Sequence, residues 1–142
     1  MASTINIIKN YVIQFDKKKI KRGKIINIAS IYGFLSPDFK IYSKGDRFSS
    51  EIYGATKSSI IQLTKYYAVL LADRNINVNC ISPGPIATRL TSKVPSSYIN
   101  KVVQQQIINK QCSENDILNC VKIILSPESD KITGENFIIG GF

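Results

Sequence analysis

The chain has 142 residues, of which 44% are hydrophobic, and it carries a formal net charge of +9. This length suffices for one domain with a modest core, and we expect residues 1–142 to form a single domain. Because the chain contains no histidine, zinc sites built on imidazole and Ser-His-Asp catalysis are excluded.

The composition indicates neither a membrane anchor nor a metal site. No stretch approaches the roughly 18 consecutive apolar residues of a membrane span, and the first residues lack the layout of a signal peptide. Three cysteines, Cys80, Cys112 and Cys120, have no metal-ligand spacing. We therefore expect a cytoplasmic protein with reduced, packed thiols, no bound metal and no membrane partner.

A basic run supplies six of the positive charges, with no acidic residue between Lys17 and Lys24. Such a run can attract nucleic acid or anionic lipid, and a basic nucleic-acid-binding module is one alternative for this chain. The other interpretation is a solvated loop between a helix and a strand. No aromatic residue is interleaved for stacking on bases, so we favour the loop and expect no nucleic-acid partner.

The chain begins with a predicted amphipathic helix. Apolar residues at a 3-4-3 spacing form its stripe: Ile5, Ile8, Val12 and Phe15. The basic run and Gly23 end this helix, and the β-branched residues that follow predict a buried strand over 24–29. Residues 34–51 contain proline, glycine and several serines without periodicity, which predicts a loop. A connection of this length is more often a functional lid than filler.

Helices and strands alternate along the rest of the chain. The predicted elements are a helix over 52–73, a strand over 76–82, helices over 97–109 and 114–125, and a strand over 137–139. The inward stripe predicted for the first of these helices is Ile60, Leu63, Tyr67 and Leu70. Ser113 with Asp116 predicts a capped start for the last helix. This alternation indicates an α/β fold in which helices cover a parallel sheet of about three strands.

Tyr53 and Lys57 lie four residues apart at the start of the second predicted helix, on one face of it. At about 4 Å and an effective dielectric constant of about 20, an ammonium attracts a phenolate by roughly 4 kcal/mol before desolvation costs. Such a pair favours proton exchange with an alcohol or carbonyl at neutral pH. The spacing also fits an aromatic ring packed beside a solvated lysine.

Ser30 follows the first predicted strand and precedes a loop that contains Gly33. It therefore lies at the carboxyl end of a strand, where open α/β sheets place their chemistry. The alternative is a structural hydroxyl that bonds an amide at the end of the strand.

Four segments, in the same order, resemble the C-terminal catalytic half of a short-chain dehydrogenase/reductase. They are Asn27-Ile-Ala-Ser30-x-x-Gly33, Tyr53-x-x-x-Lys57, the segment Asn77-Val-Asn-Cys-Ile-Ser-Pro-Gly-Pro-Ile-Ala-Thr88, and Ile132-Thr-Gly-Glu-Asn136. Together they span nearly the whole chain. Ser30 and Tyr53 are unusually far apart for the family. The insertion Leu35-Ser-Pro-Asp-Phe-Lys-Ile-Tyr42, followed by Ser49-Ser-Glu-Ile-Tyr53, resembles bacterial members linked to flagellin modification and nonulosonate-type sugars. This resemblance suggests a sugar or sugar-nucleotide substrate.

The resemblance implies a partial Rossmann-like sheet and hydride transfer between a nicotinamide cofactor, NAD or NADP, and a carbonyl or alcohol carbon. Tyr53 would be the general acid in reduction and the base in oxidation, and it is also among the residues that the resemblance assigns to cofactor binding. Lys57 would stabilise the phenolate and hydrogen-bond the nicotinamide ribose. Ser30 would donate a hydrogen bond to the substrate oxygen.

The resemblance also assigns the nicotinamide end of the cofactor to the segment after the second strand. Pro83 and Gly84 would turn the chain beneath the ring, although a plain turn is the alternative. The backbone of Ile86 and the hydroxyl of Thr88 would contact the carboxamide.

The family's N-terminal half, with its Gly-rich phosphate-binding turn, has no counterpart in this sequence. The C-terminal Gly-Gly pair also departs from the pattern, since Ile139 rather than an aspartate precedes Gly140. We expect the chain alone to bind NAD(P) weakly and to turn over little. Its expected partners are a small carbonyl or alcohol substrate and either a second copy or the missing half. The alternative is an inactive remnant that acts only as partner of a full-length paralogue.

Overall fold

The computed structural model describes residues 2–42, 44, 49–86 and 96–141. The described elements are α1 (Ala2–Lys17), β1 (Gly23–Ile28), α2 (Glu51–Leu70), β2 (Ile76–Pro83), α3 (Ser96–Gln104), α4 (Glu114–Leu125) and β3 (Asn136–Ile139). The strands lie in the order β1-β2-β3 and both pairs are parallel. The α/β fold with a parallel three-stranded sheet is confirmed, and the carboxyl ends of the three strands share one edge of the sheet.

The central strand β2 separates two hydrophobic clusters. All of its residues are buried, and alternate side chains point to opposite faces of the sheet. Ile76 and Val78 pack on one face against Ile8 and Phe15 of α1. On the same face they also meet Tyr67 and Ala68 of α2 and Leu71, which directly follows that helix. Ile81 packs on the other face against Cys120 and Ile124 of α4. Two helices thus cover one face of the sheet and α4 covers the other.

The predicted stripe of α1 is confirmed at Ile8 and Phe15, which are both buried. The prediction for Leu70 was wrong, since Leu70 is 55% exposed and Leu71 is buried in its place. The α-helix ends at Leu70, and a tighter helical turn over Ala72–Arg74 follows. Leu71 lies four residues after the buried Tyr67, so it continues the buried face of the helix.

Two predicted boundaries differ from the structure. The helix predicted over 97–109 ends at Gln104, because the Ile107 amide donates to the Gly141 carbonyl at 2.6 Å and draws the chain away from the helix axis. Within the predicted loop 34–51, Phe39–Ile41 form one short helical turn. The capped start of α4 is confirmed, with Ser113 and Asp116 bonding each other's backbone amides.

The outer edge of β1 borders a groove of about 350 Å³ between this strand and α1. Among the described residues, β1 pairs with β2 alone. Ile7 and Ile28 line the groove and are 68% and 48% exposed. This arrangement leaves a parallel strand edge beside an apolar surface, which is a template for pairing with another strand.

The basic run divides into structural and solvated residues. α1 ends at Lys17, and the chain then turns through Lys19, which has a left-handed backbone conformation with φ of 53°. Arg22 forms an ion pair with Asp130. The Lys24 side chain is only 10% exposed and contacts the end of α4 and the turn after it. None of the described helices is long and apolar enough to cross a membrane.

Candidate active site

The carboxyl ends of β1 and β2 open into a cleft of about 610 Å³. Six of the seven predicted site residues line it: Ser30, Tyr53, Lys57, Pro83, Gly84 and Ile86. The seventh, Thr88, lies outside the described residues. The polar side chains come from the end of one strand and the first turns of α2. The structure therefore brings the predicted serine, tyrosine and lysine to one cavity.

Tyr53 and Lys57 share one face of α2, whose first turn is capped by the Ser50 hydroxyl. The Lys57 Nζ atom lies 5.7 Å from the centre of the Tyr53 ring, within cation–π range. It also donates a hydrogen bond to the Ile28 carbonyl at 3.1 Å, which holds the ammonium at the end of β1. Tyr53 is 45% exposed, so its phenol is accessible from the cleft.

Ser30 is buried at the mouth of the same strand, with an exposed fraction of 7%. Its hydroxyl oxygen accepts a hydrogen bond from the Tyr32 amide at 3.2 Å and caps the helical turn Ile31–Gly33. The structural role considered for this hydroxyl is therefore present. That contact uses a lone pair of the oxygen, so the hydroxyl proton can still be donated into the cleft.

Gly33 permits the close approach of this turn to α2. A Cβ atom on Gly33 would lie 2.9 Å from the Lys57 carbonyl carbon and 2.8 Å from the Ile61 Cδ1 atom. A backbone contact of that length cannot be relieved by rotating a side chain. The glycine thus sets the distance between the Ser30 turn and the helix turn that carries Lys57.

We expect Gly33→Ala to destabilise the chain by about 1–3 kcal/mol, since the added methyl group must displace backbone. The measurement is the urea midpoint of unfolding. Gly54→Ala is the matched control, because its nearest described contact would be the Tyr32 carbonyl oxygen at 3.1 Å and alanine favours the helix interior. Equal midpoints for Gly33→Ala and the unmodified chain would contradict the packing argument.

The segment after β2 is held by the C-terminal part of the chain. The Gly84 amide donates to the Ile139 carbonyl at 2.8 Å, and Ile86 forms an isolated parallel bridge with Cys112. These contacts fix the backbone of the Pro-Gly turn along one wall of the cleft. The described part of the wall therefore presents ordered backbone where a flat ring could lie.

Sequence reasoning missed three tyrosines at this end of the molecule: Tyr32, Tyr42 and Tyr98. Tyr32 and Tyr98 line the cleft, and Tyr42 contacts Tyr98. The sequence did indicate Tyr32, because it lies two residues after Ser30 and close to the carboxyl end of β1. Tyr98 has no such signal, because it reaches the cleft through tertiary packing alone.

A parallel sheet with polar residues clustered where its strands end is the architecture of α/β proteins that bind ligands at this edge. A family model described as enoyl-(acyl carrier protein) reductase matches residues 2–141. The mouse protein dehydrogenase/reductase SDR family member 4 is 29% identical over 147 residues, covering 99% of this chain and 47% of its own length.

Two solved structures are similar over nearly the whole chain. A short-chain dehydrogenase from Leptospira borgpetersenii serovar Hardjo-bovis with bound NAD+ has a TM-score of 0.82 and 34% identity, covering 96% of this chain and 50% of that one. A 4-hydroxyisoleucine dehydrogenase complexed with NADH and succinate has a TM-score of 0.80 and 30% identity, covering 99% of this chain and 54% of that one. The chain belongs to the short-chain dehydrogenase/reductase family, and it spans about half the length of these relatives.

Proposed function

We propose that this chain is the catalytic half of an NAD(P)-dependent oxidoreductase that interconverts a carbonyl and an alcohol. The observation that carries the proposal is the meeting of Ser30, Tyr53 and Lys57 in one cleft where the strands end. A phenol, an ammonium and a hydroxyl in one cavity can bind a carbonyl oxygen and exchange a proton with it. Nothing in this arrangement favours an inactive remnant, since all three groups are present.

In the reductive direction, Tyr53 donates its phenolic proton to the substrate oxygen. Ser30 donates a second hydrogen bond to the same oxygen and orients it. Lys57 uses one of its three N–H donors on the Ile28 carbonyl and keeps two for other partners. Its positive charge stabilises the phenolate that forms when the proton leaves.

In this direction the reduced cofactor, NADH or NADPH, supplies the hydride when bound. Three described residues fit the nicotinamide end of such a cofactor: Pro83 and Gly84 form the turn, and the Ile86 backbone would hold the carboxamide. The family resemblance adds the hydroxyl of Thr88, which lies outside the described residues. The solved relatives hold NAD+ or NADH, which supports this assignment. A Gly-rich phosphate cradle is absent from the sequence, so the pyrophosphate must be bound elsewhere.

We infer that the missing binding surface docks on the free edge of β1. The groove beside that edge is lined mostly by apolar residues of α1 and β1, with Thr4, Lys24 and Asn27 as its polar members, and it suits an added parallel strand. The half-length coverage of the relatives indicates an N-terminal half as its occupant. The surface that we propose for a second copy consists of exposed apolar residues at the end of α2, Val69 and Leu70.

The substrate class that we propose is a sugar or sugar nucleotide, as the bacterial subfamily resemblance suggests. The cellular site that we propose is the cytoplasm, because all three cysteines are unpaired and buried and such thiols persist under reducing conditions.

The test is to combine the chain with the half of the Leptospira dehydrogenase that it does not match, and to measure NAD+ binding by calorimetry. We expect the combination to bind NAD+ about 10²- to 10⁴-fold more tightly than the chain alone. Two charge-assisted hydrogen bonds to the pyrophosphate, at about 1.5–3 kcal/mol each, account for that range.

For hydride transfer, NADH and a carbonyl compound are added to the same combination of halves, and oxidation of NADH is followed by the loss of its absorbance. An unrelated α/β domain of similar size replaces the Leptospira half in the control. If the combination binds NAD+ tightly yet transfers no hydride to any carbonyl in a panel of sugars and simple ketones, the proposed activity is wrong. Micromolar binding by the chain alone would refute the need for a second half.

A further inference from the structure

Three phenolic hydroxyls meet at one end of the cleft. The Tyr98 hydroxyl lies 3.4 Å from that of Tyr32 and 3.2 Å from that of Tyr42. The Tyr42 hydroxyl also accepts a hydrogen bond from the Ser49 amide at 3.1 Å. The hydroxyls therefore form a chain that runs from the loop before α2, through α3, to the residue behind Ser30.

Two hydrogen bonds to the loop 34–42, one from α3 and one from the residue after it, fix the position of Tyr98. Lys101 donates to the Ile41 carbonyl at 3.0 Å, and Gln105 donates to the Asp38 carboxylate at 2.8 Å. The Tyr42 and Tyr98 rings pack with their centres 5.1 Å apart. These contacts hold the phenols in place before any ligand arrives, which lowers the entropic cost of binding.

In each of these two hydrogen bonds either hydroxyl can be the donor, and the order of donation decides what Tyr32 offers to a ligand. If Tyr42 donates to Tyr98 and Tyr98 donates to Tyr32, the proton of Tyr32 remains to be donated. If the order is reversed, the Tyr32 oxygen remains as an acceptor. A ligand hydroxyl satisfies both orders because it donates and accepts, whereas a carbonyl satisfies only one.

The surroundings favour an uncharged polar ligand. Burial raises the pKa of Tyr32 and of Tyr98, so both phenols keep their protons at neutral pH. Among the described residues that line the cleft, Lys57 alone carries a formal charge. The rest of the described lining consists of Tyr53, aliphatic side chains, serines and backbone, and the volume of about 610 Å³ suits a small ligand.

We propose that Tyr32 and Tyr98 form a subsite that recognises a hydroxyl group of the substrate other than the oxygen that reacts at Tyr53. The substrate class is then a hydroxylated ketone or polyol rather than an unsubstituted acyl chain. This inference rests on the proposed function, because it assumes that the reacting oxygen binds at Tyr53. Tyr42 acts through Tyr98 as a positioning residue.

The test compares hydroxyacetone with butanone, in which a methyl group replaces the hydroxyl. Binding to the 142-residue chain is measured by NMR of isotope-labelled tyrosine rings, in the oligomeric state in which the chain purifies. We expect hydroxyacetone to bind about two- to twelve-fold more tightly than butanone, the range of one net hydrogen bond. Its addition is expected to shift the resonances of Tyr32 and Tyr98.

Tyr32→Phe is expected to abolish this preference while leaving butanone binding unchanged. Tyr66→Phe is the matched control, because its ring is 58% exposed and it lies outside the cleft. If Tyr32→Phe does not fold, the affinities of hydroxyacetone and butanone are compared in Tyr98→Phe instead, and loss of the preference is again expected. Equal affinities in the unmodified chain, or a preference that survives both Tyr32→Phe and Tyr98→Phe, would overturn the subsite.

The measurement separates this inference from the proposed function because it requires no hydride transfer. A preference for hydroxyacetone without turnover in the completed enzyme would support the subsite and reject the proposed oxidoreductase activity. Turnover without any preference between the two ketones would reject the subsite and keep the activity.

Discussion

A Tyr53→Phe chain is expected to transfer hydride about 10²- to 10⁴-fold more slowly than the unmodified chain, when both are completed by the same N-terminal half. The substitution removes the phenolic proton and keeps the ring over which the Lys57 ammonium lies at 5.7 Å. The loss is thus confined to proton transfer and to the hydrogen bond with the substrate oxygen. The measurement is kcat from the initial rate of NADH oxidation at saturating ketone.

NAD+ binding and the urea midpoint distinguish this chemical role from a structural one. The urea midpoint should match that of the unmodified chain, because Tyr53 is partly exposed and phenylalanine keeps the ring that contacts Lys57. The Kd of NAD+ should rise by no more than about twelve-fold, the loss of one net hydrogen bond. Tyr66→Phe, on the same helix but away from the cleft, should keep full activity. A Tyr53→Phe enzyme with more than a third of the original kcat would eliminate Tyr53 as the proton donor.

The sheet and its helices were predictable because their signals are local. The β-branched run before Ser30 predicted β1, and the apolar spacing around Ile8 predicted the buried side of α1. The error at Leu70 came from the step chosen for the last turn. The prediction took three residues from Tyr67 to Leu70, whereas the buried face of the helix continues four residues on, at Leu71.

The meeting of Ser30, Tyr53 and Lys57 was predictable for a topological reason. A serine at the end of a strand and a tyrosine in the first turn of the following helix share one edge of a parallel sheet. What the sequence could not supply is the tyrosine subsite. Tyr98 meets Tyr32 and Tyr42 only because α3 folds back over the loop 34–42, and no periodicity encodes that contact.

The residues of the basic run have different structural roles, although the sequence pattern treats them as one group of charges. The prediction of a solvated loop suits Lys18 and Lys21, which are exposed. It does not suit Lys24, which lies in β1 and reaches under the end of α4. Alternation within the strand, rather than the charge of the run, decides which cation is buried.

Lys24→Met is expected to lower the free energy of unfolding by about 3 kcal/mol. The ammonium donates to the carbonyls of Ile124 and Ser126 at 3.0 and 2.6 Å and to the Ser129 hydroxyl at 2.6 Å. Hydrogen bonds to a charged group contribute about 1.5–3 kcal/mol each. The Ser129 hydroxyl lies 2.6 Å from the Ile124 carbonyl and 2.9 Å from the Ser126 carbonyl, and it donates its single proton to one of them at a time. This bond compensates for part of the loss, so the expected total is well below the sum of three bonds.

The loss at Lys24 also weakens the pairing of β1 with the rest of the fold. Its Nζ atom lies 3.1 Å from the Asp130 carboxylate, outside hydrogen-bond geometry, so this contact is an ion pair. Arg22 remains as a partner of Asp130, so losing the Lys24–Asp130 ion pair contributes little to the fall in the free energy of unfolding. Against a typical domain stability of 5–15 kcal/mol, a loss of about 3 kcal/mol moves the urea midpoint measurably.

Lys21→Met is the matched control because Lys21 belongs to the same basic run and its side chain is exposed. It removes the same charge and adds the same side chain, so its effect should stay within about 0.5 kcal/mol. The measured quantity is the difference between the two urea midpoints. If Lys24→Met unfolds at the same midpoint as Lys21→Met, the ammonium contributes no more than a solvated charge, and the end of α4 is held by Ser129 alone.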